Sequence, residues 1–228
     1  MQSSGQTAIK SGLTATVVGA TGLVGKALTQ QLLAHPDYSE VTIIVRRELV
    51  RGAFVDPLLK LRVLVINFDD FQEYQGYFSV DHVYCCLGTT IKKAGSRKAF
   101  RYVDFQLVHV TAQLARAQRA KGFVWVSSVG ADAKSKNFYL KVKGELENAI
   151  LTMPQLEHAA AVRPSLLLGA REEQRLKEQV GIWLSRWLSW CLVGKFAKYK
   201  PIHANQVARQ MIDLQPKLEI STEAIQVD

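Results

Sequence analysis

The sequence is short of cysteine, of zinc-type ligand clusters and of long apolar runs, and each shortage excludes something. Its three cysteines are Cys85, Cys86 and Cys191. An odd count with two adjacent members is a poor disulfide framework, because neighbours on a strand point to opposite faces. A reducing compartment fits, and the cytoplasm is the expected location. The five histidines are scattered. No Cys/His cluster has zinc spacing, so no metal site is expected. The best apolar candidate for a membrane span, Ile182 to Val193, is too short and carries Arg186. There is no internal repeat and no low-complexity tract. The N-terminal MQSSGQTAIK lacks the apolar core of a signal peptide, and residues 1–12 read as a flexible lead-in. Acids are also in deficit: 20 Asp and Glu face 29 Lys and Arg, a formal charge of +9. The basic residues form no long block, since Arg46-Arg47 and Lys92-Lys93 are isolated doublets. A solvated basic surface is the plain reading, an anionic small-molecule site the next, and nucleic acid is not an expected partner.

What is present is an ordinary globular composition. With 48% apolar and 21% charged residues over 228 positions, the chain can bury a full core, and residues 1–228 read as one domain. β-rich runs fall at Thr14 to Val18, Val41 to Val45, Leu61 to Ile66, His82 to Cys86, Phe123 to Ser127 and His158 to Val162. Helical spacing falls at Val24 to Leu33, Phe100 to Ala120 and Asn137 to Leu151. Short apolar strands alternating with helices predict a doubly wound α/β domain with a parallel sheet. The chain from about Glu172 reads as a small, mostly helical C-terminal segment beside the strand ends.

The first strand runs into GATGLVG, and a helix begins inside that motif. Gly19 suits a tight turn, Gly22 a close backbone approach to a pyrophosphate, and Gly25 close packing of helix on strand. The helix start offers unpaired N–H groups to an anion. The expected dinucleotide turn is thus Gly19, Thr21, Gly22, Leu23, Val24 and Gly25. An NAD site usually places an acid just past the second strand. Here that strand ends in Arg46 and Arg47, and guanidinium groups can hold a 2′-phosphate. NADP(H) is the cofactor predicted.

A third constellation lies in VSSVGADAKSKNFYLKVKGE. Tyr139 and Lys143 are four residues apart on a predicted helix, so they share a face. With 7 tyrosines in a lysine-rich chain, one such pair alone carries little. Its place after the fifth strand adds weight, because open α/β sheets bind ligands at the C-terminal strand ends. Carbonyl reduction needs a proton donor, and a free phenol near pKa 10 exchanges poorly at pH 7. An adjacent ammonium favours tyrosinate. A serine hydroxyl can donate to the forming oxyanion.

These motifs together resemble the short-chain dehydrogenase/reductase superfamily in its atypical branch, and more closely the Tat-interactive-protein-like NAD(P)-binding oxidoreductases. The resemblance rests on GATGLVG, VTIIVRREL, CCLGTTIKKAG, RYVDF, SSVGADAKSKNFYLKVKGE and RPSLLLG, in order, with KPIHANQVARQMI beyond them. It implies a Rossmann fold. Tyr139 would be the general acid/base, Lys143 its activator and a ligand of the nicotinamide ribose, and Ser128 the residue that orients the carbonyl, ahead of Ser127. It also implies that Asn67 and Phe68 flank the adenine, where many relatives carry Asp at the position of Asn67. Cys86, Leu87, Gly88 and Thr89 would line the middle of the cofactor, and Pro164 and Ser165 the nicotinamide. Where many relatives carry an Asn that supports the lysine through a water, this chain has Asp104.

The expected function is an NADP(H)-dependent oxidoreductase with a small carbonyl or alcohol substrate. A non-enzymatic NADPH-binding regulatory protein acting through a protein partner is the alternative, and a nucleotide-sugar epimerase a more distant third. Trp183, Trp187 and Trp190 share one helical face. Core or homodimer packing is their plain reading, with a substrate lid or a membrane surface as alternatives. Cys86 is not expected to be a nucleophile, and His203 is expected to support a loop rather than act as a base.

Overall fold

The computed structural model describes residues 12–156, 158–165, 167–168 and 202–217. The tryptophan face, Cys191 and most of the C-terminal segment lie outside the described residues. Six strands, β1 (Leu13–Val18), β2 (Tyr38–Val45), β3 (Leu61–Val65), β4 (His82–Cys85), β5 (Gly122–Val126) and β6 (Ala159–Val162), form one parallel sheet in the order β3-β2-β1-β4-β5-β6. β1 has β2 on one side and β4 on the other. The winding direction reverses at that point, which opens a crevice beyond the C-terminal ends of β1 and β4.

The central strands are covered on both faces and run buried over Ala15–Val18, Val41–Val45, His82–Cys85 and Gly122–Trp125, whereas the edge strand β3 exposes Val63 and Val65 among the described residues. α1 (Leu23–Ala34) packs on one face with a C-terminal helix, α6 (Ala204–Asp213), and their shared core includes Leu28, Leu32, Val207 and Met211. The other face carries α4 (Val108–Ala117) and α5 (Phe138–Leu151), over Phe123, Trp125, Leu146 and Ile150. The adjacent cysteines point as expected: Cys85 enters one core and Cys86 packs against the other.

Several elements differ from the sequence expectation. β2 starts at Tyr38 because the Tyr38 hydroxyl is buried against His82 Nδ1 (2.5 Å) and the Tyr84 hydroxyl (2.7 Å). The loop after β3 is a 3-10 stretch, Phe68–Phe78, capped by Asn67 and anchored by buried Phe68, Phe71 and Phe78. A one-turn helix, α2 (Ile91–Ala94), precedes α3 (Arg97–Arg101), which continues through a π-helical turn, Tyr102–Leu107, into α4. The described helix of the C-terminal segment, α6, lies on α1 and contacts β6, so it belongs to the covering layer rather than to the rim of the strand ends. Ahead of it β8 (Ile202–His203) pairs with β7 (Leu167–Leu168).

Candidate functional site

The glycine turn after β1 has the geometry its spacing implies. Gly19 has φ +87°, and a Cβ there would stand 2.8 Å from the Cys86 carbonyl carbon. A Cβ on Gly25 would stand 2.1 Å from the Gly19 carbonyl oxygen, so only glycine lets α1 start this close to β1. Gly22 has ordinary φ and is the N-cap of α1, with no side chain to satisfy the first N–H groups. That uncapped helix start opens into a trough and suits a pyrophosphate.

The wide part of the trough holds about 900 Å³ over β1, β2 and β4. Gly19, Thr21 and Gly22 line it on one side, Arg46, Asn67 and Phe68 on another, and Cys86 to Thr89 form its floor. Arg46 lies 5.8 Å from the centre of the Phe68 ring, within cation–π range. Arg47 is exposed and is not among the lining residues, so only one of the two expected arginines reaches the trough. Gly25 is buried beneath the turn and acts in packing alone.

The trough continues into a narrower part of about 370 Å³, where Gly22 and the Cys86–Thr89 floor recur and Leu23 and Val24 join them. Ser128, Tyr139, Lys143, Pro164 and Ser165 line it together. Tyr139 sits in the first turn of α5, which Asn137 caps by accepting from the Tyr139 (2.9 Å) and Leu140 (3.3 Å) N–H groups. Its ring packs on Phe100 at 5.5 Å. The loop after β5 reaches α5 at Gly144, where a Cβ would stand 2.2 Å from the Ala133 nitrogen. This close approach brings the serine loop to the helix carrying Tyr139 and Lys143.

The two serines have different surroundings. Ser127 is buried, and its hydroxyl donates to Glu147 Oε1 at 2.5 Å. Glu147 is itself buried and held by the Arg163 guanidinium, whose Nε lies 2.9 Å from Oε1. Ser128 is part-buried, and its hydroxyl makes one long bond, 3.3 Å, to the neighbouring Val129 carbonyl. Of the pair, Ser128 has the hydroxyl free to turn into the trough.

Lys143 does not stand alone. Its Nζ lies 2.8 Å from Asp104 Oδ1 and 3.4 Å from the Val126 carbonyl. Lys143 is 2% exposed and Asp104 1%. Asp104 Oδ2 accepts from the Thr89 N–H at 2.8 Å. Burial pushes the Asp104 carboxyl above the ordinary carboxylate range, while the Lys143 ammonium and the Thr89 N–H pull it back. The thiols beneath are poor nucleophiles: burial pushes Cys85 up to about 11 and Cys86 well above its ordinary value. His203 is exposed, stands at the N-cap of α6 and does not line the trough.

Sequence reasoning missed several lining residues, among them Asp69, Tyr102 and Lys93. Asp69 accepts from the Tyr102 hydroxyl at 2.9 Å, and both line the wide part. Lys93 lines both parts. The RYVDF motif was the available signal for Tyr102, and the Lys92-Lys93 doublet for Lys93.

A family model described as NAD(P)H-binding matches residues 19–167, from the glycine turn to β7. The chain belongs to the NAD(P)H-binding family. It is 34% identical to Protein HTATIP2 of Rattus norvegicus over 198 residues, which is 86% of this chain and 78% of that protein. It is 32% identical to Protein FMP52, mitochondrial, of Candida albicans over 88% of this chain and 87% of that one. Among solved structures, an oxidoreductase of the short-chain dehydrogenase/reductase family from Burkholderia thailandensis superposes with a TM-score of 0.65 at 20% identity. That match covers 90% of this chain and 86% of the other. The expected Rossmann fold is thereby shown, with the resemblance to the Tat-interactive-protein-like branch. The cytoplasmic location is corrected: the FMP52 relatives from several fungi are named mitochondrial. Scarce cysteines bear on redox state, and that is not an address.

Proposed function

We propose that the protein is an NADP(H)-dependent oxidoreductase of the short-chain dehydrogenase/reductase type, acting on a small carbonyl or alcohol. The observation that supports this best is the convergence of Ser128, Tyr139 and Lys143 on the narrow part of a trough that begins at an uncapped helix N-terminus. Nicotinamide, when bound, would supply or accept the hydride. Tyr139 gives its hydroxyl proton to the developing alkoxide, or takes one in the reverse direction. Lys143, one helical turn on along the same face, would hold the nicotinamide ribose. Ser128 donates a hydrogen bond to the substrate oxygen as charge develops there. Pro164 and Ser165 form the wall near the nicotinamide, and Asn67 and Phe68 the wall near the adenine. Arg46 takes the ribose 2′-phosphate; Arg47 is left out of this role by its position. The chain works as one domain, with α6 closing the α1 face.

The test is NADPH oxidation by the full chain against a panel of small aldehydes and ketones, followed by the same assay on Tyr139→Phe. Reduction should fall about 10²–10⁴-fold in the variant, while NADPH affinity by calorimetry stays within about twofold. A variant as fast as the parent would sink the assignment of Tyr139. A parent that binds NADPH tightly and turns over nothing would put the regulatory, partner-binding reading ahead. The names of the fungal relatives make mitochondria the compartment in which to look for the protein.

A further inference from the structure

Charge is distributed unevenly around the narrow part of the trough. Between Asp81 and Asp104 the chain has no acid and five basic residues, Lys92, Lys93, Arg97, Lys98 and Arg101. Of these only Arg101 has an ion-pair partner among the described residues, Glu145. The other four are exposed on α2 and α3. α3 adjoins the start of α5: the Phe100 ring centre lies 5.5 Å from that of Tyr139, and the Arg97 guanidinium 5.0 Å from the centre of the Phe138 ring. The basic rim therefore borders the end of the trough that holds Tyr139.

Lys93 is the member of the rim that enters the trough. It lines both parts, where they join. Its backbone is pinned in α2, since the Thr90 hydroxyl accepts from the Lys93 N–H at 3.1 Å and Gly95 closes the turn with φ +80°. The other charged residues of the narrow part, Lys143 and Asp104, are buried against each other at 2.8 Å and cancel. Every further side chain lining that part is neutral, so one uncompensated positive charge remains. The serine loop supplies no offset, because exposed Asp132 is outnumbered by exposed Lys134 and Lys136.

We infer that the substrate of this site is a carbonyl compound that also carries a carboxylate or a phosphate, and that Lys93 binds this anionic group. Carbonyl reduction is the function proposed above, on which this assignment depends. The anions of NADP(H) already have places there, the pyrophosphate at the start of α1 and the 2′-phosphate at Arg46, and Lys93 is the lining cation left over. Its ammonium, with three donors on a flexible stem, suits either anion. The anionic group does not react. Lys93 therefore holds it equally before and during the chemistry, and such uniform binding acts on KM rather than on kcat. A merely structural lysine would not produce that split, and a lysine committed to the cofactor would change NADPH affinity.

The test uses the full chain, NADPH and three matched pairs of ketones: pyruvate and methyl pyruvate, levulinate and its methyl ester, dihydroxyacetone phosphate and dihydroxyacetone. In at least one pair the anion should exceed its neutral partner in kcat/KM by about tenfold or more, the worth of one hydrogen bond to a charged group. Lys93→Met should raise the KM of that anion about tenfold with kcat within about threefold, and Lys93→Arg should restore most of the affinity. Lys98→Met removes the same charge from the rim but not from the trough, which Lys98 does not line, so that KM should move less than about twofold at physiological salt. NADPH affinity by calorimetry should stay within about twofold in Lys93→Met. Three results overturn the inference: no preference for the anion in any pair, a fall in kcat without a rise in KM, or an NADPH affinity about tenfold weaker in Lys93→Met, which would give Lys93 to the cofactor. Should no ketone be reduced, calorimetric titration of the same pairs into the NADPH complex decides alone. An anion that binds about tenfold tighter than its neutral partner, and loses this in Lys93→Met, keeps the anion site and sinks the reductase reading. Anions that bind no tighter than their neutral partners overturn the inference.

Discussion

The two ends of the trough treat charge in opposite ways. At the wide end Arg46 is exposed, faces the Phe68 ring and has no ion-pair partner among the described residues, and Lys93, where the two parts join, is likewise exposed and without an ion-pair partner among them. At the narrow end Lys143 and Asp104 are buried against each other, and one turn along α5 the buried Glu147 meets Arg163 and Ser127. An exposed cation is solvated whether or not a ligand is present, so losing it costs binding and spares the fold. A buried charge needs its partner at all times, so chemistry and stability are coupled there.

Glu147 gives the largest effect expected outside catalysis. Its carboxylate is 3% exposed, while the Arg163 side chain is 53% exposed. Glu147→Ala leaves Arg163 free to hydrate but strands the Ser127 hydroxyl and opens a cavity under the serine loop. A loss of about 3 kcal/mol in urea unfolding is expected. A loss under about 1 kcal/mol would mean that the narrow end tolerates unpaired polar groups and that the contrast is misdrawn.

The glycine turn sharpens the contrast within a single motif. Gly25→Ala forces a methyl group onto the Gly19 carbonyl and should cost about 2–3 kcal/mol of stability. At Gly22 the nearest atom to a Cβ is the Gly19 oxygen at 3.3 Å. Gly22→Val should therefore leave the melting temperature within a few degrees while abolishing NADPH binding by calorimetry, since its methyl groups fill the anion approach. Wild-type affinity in that variant would displace the pyrophosphate from the turn.

The legible parts of the molecule were those set by local pattern. All six strands of the sheet, α1 and α5 follow from apolar runs and 3.6-residue spacing, to within a few residues at each end. Gly19 and Gly25 were legible because the motif encodes a backbone shape. Pattern alone did not give the direct Asp104–Lys143 ion pair: the resemblance pointed to that position, but the partners lie 39 positions apart and meet through a π-helical turn that no periodicity announces. The unequal fates of Arg46 and Arg47 were also out of reach. Adjacent residues past a strand end diverge, and which one faces the trough depends on tertiary placement. The 3-10 stretch at residues 68–78 lacks both common periods, and its buried aromatic residues alone were no guide to its path.

Arg46 carries the next effect in size. If it holds the 2′-phosphate, Arg46→Ala should weaken NADPH binding about tenfold, or about 1.4 kcal/mol, with NADH binding and thermal stability unchanged. Arg47→Ala should change neither. Equal losses for both cofactors would assign Arg46 to a group that NAD and NADP share.

The smallest effect should come from an ion pair that matches the buried one in length and differs from it in exposure. Arg62 on β3 meets Glu40 on β2 at 2.9 Å, with side chains 69% and 33% exposed. Its distance is nearly that of Lys143 and Asp104, so distance alone predicts equal worth. Water screens the exposed pair, and each long side chain loses freedom in holding it. Arg62→Ala should change the unfolding free energy by less than about 0.5 kcal/mol, with no pH trend between 7 and 10. The same measurement on Asp104→Asn should give a large deficit that shrinks as pH rises: the stranded Lys143 ammonium makes the folded variant bind fewer protons than the unfolded chain, so stability climbs with pH. Should Arg62→Ala cost as much as the buried substitution, exposure would not be the variable that separates the two classes of charge in this protein.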